Sequence, residues 1–195
     1  MIVRAGDLPE GRPTGLRLRE VDATWYRLDA DPPDRWDWSA YPVPRNRFDP
    51  ADGSARTRYA AGTARGAFRE RFHDRGRILR ERELGLNLVR LTGTVRLLDL
   101  RQESTLDRLG LDDEINVGRS ARLLAASRLL ASRVTAWYGE RCHGLVYRSR
   151  TTPQTSPNLA FWEWSPLTGT DLGPARDHRG LLDALVVDDG FTIDA

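Results

Sequence analysis

The strongest constraint on this chain is a helical period sustained over residues 119–138, about five turns. Leu123, Leu124, Leu130, Val134 and Trp137 supply its buried stripe, alanines fill the close contacts, and Gly139 stops it. Directly afterwards, Gly144-Leu145-Val146-Tyr147 is an apolar run too short for a helix and suited to a buried strand. A long helix feeding such a strand needs a sheet with helical cover, which predicts a mixed α and β domain.

The remaining signals fit around that pair. Thr24-Trp25-Tyr26-Arg27-Leu28 reads as the first strand, ended by Asp-Ala-Asp-Pro-Pro. Residues 31–55 form a Pro-rich loop carrying Trp36 and Trp38, and Arg58-Tyr59-Ala60-Ala61 is a short strand. Thr63 is an N-cap for a helix to about His73, with Ala64, Ala67, Phe68, Arg71 and Phe72 on one side and Glu70 at the border of that arc. Residues 87–91 and 95–100 are strands joined around Gly93, residues 104–109 a short helix, and residues 158–162 another strand. The tail LLDALVVDDGFTIDA predicts a hairpin turning at Asp189-Gly190. A length of 195 residues fits one domain over residues 21–195, preceded by an N-terminal arm over residues 1–20.

Composition narrows the chemistry. No apolar run approaches the ~20 residues that cross a bilayer. The first residues carry no apolar signal core, and Cys142 is the single cysteine, so a reducing cytoplasm is the expected home. All 30 basic residues are arginine, interleaved with 28 acidic residues for a net charge of +2, which does not predict direct nucleic-acid binding. His73, His143 and His178 lack paired ligand spacing, so no metal site is expected. Neither a Walker A loop nor a G-x-G-x-x-G turn occurs. Ser149 ends the buried strand but lacks a G-x-S-x-G elbow, which makes a Ser–His–Asp hydrolase a poor fit; His143 or His178 would have to be brought beside it by the fold.

What remains is a scattered set of polar residues in recurrent surroundings. Tyr26-Arg27, Arg47-Phe48-Asp49-Pro50, Tyr59-Ala60-Ala61, Ala67-Phe68-Arg69-Glu70 and Gly144-Leu145-Val146-Tyr147-Arg148-Ser149, with Asn158 after them, resemble the RES domain, a family named for its Arg, Glu and Ser. The ordered series spans about residues 24–165. The resemblance implies an α+β fold similar to ADP-ribosyltransferases, a single domain with a mixed sheet flanked by helices. It implies NAD as substrate with no separate cofactor, and cleavage of the nicotinamide–ribose bond by hydrolysis or phosphorolysis. Transfer of ADP-ribose to a protein and an inactive NAD- or partner-binding module are its alternatives. It also implies a toxin role, with an Xre-type helix-turn-helix antitoxin as partner. By the same resemblance Arg27, Arg47, Tyr59, Ser149 and Asn158 contact the dinucleotide, Tyr59 and Glu70 lie by the nicotinamide and its ribose, and Glu70, Tyr59 and Arg47 are the expected catalytic residues. The family's frequent Gly-Gly-Arg-Trp-Asn is Pro44-Arg45-Asn46-Arg47-Phe48-Asp49 here, which leaves Arg45 as a rival to Arg47 for phosphate and puts an acid where Asn is common.

Overall fold

Runs of aromatic and branched residues become strands where their alternating side chains find cover on both faces. In the computed structural model, which describes residues 8–40, 44–151 and 156–194, ten strands form. They are β1 (Arg19–Asp22), β2 (Trp25–Asp29), β3 (Thr57–Ala61), β4 (Ile78–Arg80), β5 (Asn87–Thr92), β6 (Thr94–Asp99), β7 (Gly144–Arg148), β8 (Pro157–Trp162), β9 (Thr168–Pro174) and β10 (Thr192–Asp194). Helices α1 (Ala64–Phe72), α2 (Glu81–Leu84), α3 (Glu103–Leu109), α4 (Glu114–Val117), α5 (Ala121–Tyr138) and α6 (Arg179–Asp189) complete the α+β domain. No helix among the described residues is long and apolar enough to cross a membrane.

Eight strands share one sheet in the order β1-β6-β7-β8-β3-β2-β5-β9, while β4 and β10 pair separately and in parallel. Every neighbouring pair in the large sheet is antiparallel except β6 with β7. The sheet is strongly curled. Leu91 on β5 and Val95 on β6 are separated in the strand order by β7, β8, β3 and β2, yet they belong to one apolar cluster with Trp25, Val146 and Phe161. Gly93, at φ 140°, makes the tight turn between β5 and β6.

Two further clusters cover the other side. Leu123, Ala126, Leu130, Ala131 and Val134 bury one face of α5 against Leu98, Leu145 and Trp162 of the sheet. The Ser120 hydroxyl caps this helix by accepting the Leu123 N–H at 3.2 Å. Leu124 and Trp137, expected in the stripe, are only half-buried, because the small residues Ala126, Ala131 and Thr135 let the sheet approach closest on their side. The segment expected as an N-terminal arm places Leu8 and Leu16 in this cluster, and the Leu16 carbonyl accepts the Tyr138 hydroxyl at 2.8 Å. Phe68 and Phe72 of α1 pack with Leu28, Leu88, Leu182 and Leu185 in the remaining cluster.

The tail departs from expectation. The predicted hairpin is instead α6, and Gly190, at φ 66°, is its left-handed C-terminal stop. An Asp-Gly pair marks a helix end as readily as a hairpin turn; Leu182 and Leu185 on the helical period decided between them by finding a place in the core.

One feature of the sheet creates the site. Strands β2 and β3 are joined at a single residue pair, Tyr26 with Ala61, whereas β2 pairs with β5 over five positions. Beyond Tyr26 the two strands splay, and α1 packs across both.

Candidate active site

The splay between β2 and β3 opens into a cleft of about 690 Å³, a volume suited to a small ligand. Arg27, Arg47, Tyr59, Glu70 and Asn158 all line it, although they come from two strands, a loop, a helix and a third strand. Ser149, just past the end of β7, reaches the same place by donating its hydroxyl to Glu70 Oε1. Arg45 does not join them; it borders a separate small hollow on the far side of the loop.

Each side chain is held by what the local sequence provides. Arg27 bridges the splayed strands: its Nε donates to Asp29 Oδ2 at 2.6 Å and one terminal nitrogen to the Tyr59 carbonyl at 2.9 Å. Asp29, 5% exposed, also binds Arg58 at 2.8 Å, and Arg58 lies between the rings of Trp36 and Trp38. The two tryptophans therefore brace Arg27 from behind, through Arg58 and Asp29. Arg47 donates to the backbone carbonyls of Ile115, at 2.8 Å, and Gly118, closing the last turn of α4 onto the cleft wall. Burial pushes the Arg47 pKa down, as does Arg150, while Tyr147, Tyr59 and Glu70 oppose the shift.

Asp49, the acid found where Asn is common, is a loop clasp. Its Oδ2 accepts the N–H groups of Arg45 and Asn46 at 2.7 Å each, and its Oδ1 accepts the Tyr59 hydroxyl at 2.7 Å. That hydroxyl in turn accepts the Phe48 N–H at 3.0 Å. Without glycines the loop cannot fold back on backbone freedom alone, and the carboxylate supplies the missing acceptors. Burial, reinforced by Asp49, drives the Tyr59 pKa well up, so the phenol stays neutral and its ring is what faces the cleft.

Several lining residues carry no signal strong enough to stand out in the sequence. Tyr147 packs at a tilt against Phe48, with ring centroids 4.8 Å apart, and burial together with the Glu70 charge raises its pKa. It lies two residues before Ser149, and both meet Glu70, Tyr147 through the charge of that carboxylate and Ser149 through a hydrogen bond. Asn158 stands directly opposite Tyr147 on β8 and is 1% exposed. Neither atom of its carboxamide makes a well-formed hydrogen bond, although the Tyr147 hydroxyl is near enough to feel it. The Oδ1 of Asn116, also on the cleft wall, is buried and without a partner. Buried polar atoms are nearly always satisfied, so these mark places where a polar ligand would be bound. At the mouth, Asp74 pairs with Arg150 at 2.8 Å and Arg119 at 3.4 Å.

Neither His143 nor His178 lines the cleft. His143 precedes β7 and Ser149 follows it, which separates them by about 20 Å of extended chain. The Nδ1 of His143 accepts the Arg96 N–H at 3.0 Å. A Ser149–His143 pair is thus ruled out. Among the described residues no group of three His, Cys, Asp or Glu side chains is placed to hold a metal ion. Arginines facing a carboxylate across a polar cleft suit an anionic ligand in which positive charge develops.

The RES domain family model matches residues 10–178. Among solved structures, a chain from the crystal structure of the M. tuberculosis MbcT–MbcA toxin–antitoxin complex shares the fold, with a TM-score of 0.53 and 17% identity over 82% of this chain and 88% of that one. Comparison with curated protein sequences gives no match. With its family model covering most of the chain, this protein belongs to the RES domain family.

Proposed function

We propose that this chain is a toxin-type enzyme that cleaves the nicotinamide–ribose bond of NAD, with water or phosphate as acceptor. The observation that carries the reading is the joint placement of Glu70 with Arg27, Arg47 and Tyr59 in a single cleft. Arg27 and Arg47 face the two phosphates of the dinucleotide, to which guanidinium groups bind in a fork. Asn158 and Asn116 offer their unpartnered amide atoms to the polar groups of the substrate. The Tyr59 ring forms a wall for the nicotinamide.

As the C1′–N bond breaks, its electron pair returns to the pyridinium nitrogen and nicotinamide leaves neutral, so no acid is required. The ribose is left with oxocarbenium character, as in glycoside cleavage. The Glu70 carboxylate stabilises that charge until an acceptor oxygen adds to C1′; water then releases its proton to solvent, whereas phosphate adds through an anionic oxygen and needs to lose none. The proposed partner is an antitoxin of the Xre helix-turn-helix type; support comes from the fold shared with a chain of a toxin–antitoxin complex. NAD turnover places the proposed action in the cytoplasm.

Incubation with NAD tests the reading, with nicotinamide followed by chromatography. The wild-type chain is expected to release nicotinamide, and Glu70→Gln to lose about 10²–10³ in kcat with an unchanged circular dichroism spectrum. A phosphate requirement distinguishes phosphorolysis from hydrolysis. Absence of release from the wild type, or full activity in the Gln variant, overturns the proposal.

A further inference from the structure

Glu70 is held from one side by two hydroxyls, those of Ser149 and Thr151. Ser149 donates to Oε1, and Thr151 Oγ1 donates to the same Oε1 at 2.6 Å. The two hydroxyl oxygens are 3.2 Å apart, and the Thr151 N–H donates to Ser149 Oγ at 3.0 Å. Ser149 thus accepts an amide proton and gives its own to the carboxylate. Among the described residues no hydrogen bond reaches Glu70 Oε2.

We infer that Thr151 is a positioning residue for Glu70, which turns the carboxylate so that Oε2 is the oxygen presented to the substrate's ribose. The last torsion of a glutamate side chain is soft and nearly two-fold, so a single donor leaves the carboxylate free to swing about that contact. Two donors converging on one oxygen from neighbouring positions remove the swing. They also leave one oxygen with its lone pairs uncommitted. The arrangement follows from a turn just past the end of β7: the Thr151 N–H folds back onto Ser149 Oγ, which brings both hydroxyls to the side that meets Glu70 of α1. A methyl-bearing residue at position 151 does not matter to this role; its hydroxyl does.

The inference rests on the reading that Glu70 steadies the ribose, and one experiment separates the two. Thr151→Val removes the hydroxyl at constant shape, and Thr151→Ser keeps it. With NAD as substrate, the Val variant is expected to lose ten- to a hundredfold in kcat, since small misplacement of a reacting group costs about that much. Its KM should stay within twofold of wild type, and the Ser variant should recover to within threefold. Crystal structures of both variants are the second readout: Glu70 is expected to turn or adopt two conformers in the Val variant and to keep its orientation in the Ser variant. An inactive wild type defeats the function, and the inference then falls with it. An active wild type with a fully active Val variant, equal impairment of Val and Ser, or an unmoved Glu70 in the Val variant defeats the positioning role alone.

Discussion

Arg47 spends its guanidinium on the carbonyls of Ile115 and Gly118, so this one side chain both faces the cleft and fastens α4 to its wall. Its loss therefore has two effects. Arg47→Ala is expected to lower stability by about 1.5–3 kcal/mol, the value of hydrogen bonds from a charged donor, or roughly 4–10 °C in Tm, and to weaken dinucleotide binding. Arg45→Ala should leave both within about 0.5 kcal/mol, as for an ordinary surface position. Calorimetry of the two variants with and without NAD checks this; a binding loss in Arg45→Ala that matches Arg47→Ala would return the phosphate to Arg45. The residue types of this site are readable in the sequence, but their partners are not. Asp49 looks there like an unwelcome charge, and only the folded loop reveals it as the acceptor for two backbone amides and the Tyr59 hydroxyl.

Helix α6 ends on an acid, against its own dipole. Asp189 is nonetheless fully buried, because Arg65 grips it through Nε at 2.9 Å and a terminal nitrogen at 2.6 Å, and Arg69 adds a further contact. Arg77 binds its backbone carbonyl at 2.6 Å. The clasp ties the end of α6 to α1, one residue before Glu70. Asp189→Ala takes the carboxylate from Arg69 and leaves Arg65 only its pair with Asp188 at 3.1 Å, and is expected to cost about 3 kcal/mol in urea denaturation, with a parallel fall in NAD cleavage as α1 loosens. A loss below about 1 kcal/mol would mean that the arginines simply turn to solvent. At this scale the sequence is legible where periodicity meets full burial, as in α5, β7 and β8. It is silent on β1 and β9, the two edges of the large sheet, whose TGTDLGP and REVD show no apolar alternation because one side of each strand has no neighbour to cover it.

Across the whole molecule the charge is nearly balanced, yet the cleft is not. Among the described residues Arg27, Arg47, Arg71, Arg119, Arg148 and Arg150 line it with the acids Glu70 and Asp74, and Asp29 and Asp113 offset only Arg27 and Arg148 from beside it. A site of that kind attracts an anionic substrate over several ångströms, and salt screens the attraction. Raising NaCl from 50 to 500 mM is expected to increase the KM for NAD roughly three- to tenfold with kcat within twofold; steady-state kinetics at several salt concentrations measures it, and a constant KM would place recognition in short buried contacts instead. What the linear chain settled by itself was its inventory: helices and strands with enough periodic apolar residues to need burial, and six polar positions in the order of the RES domain. Which charges share a cavity was decided by the curl of the sheet and the splay between β2 and β3. Local periodicity encodes only what neighbours along the chain can feel, whereas a cleft is made by strands that meet across more than a hundred residues.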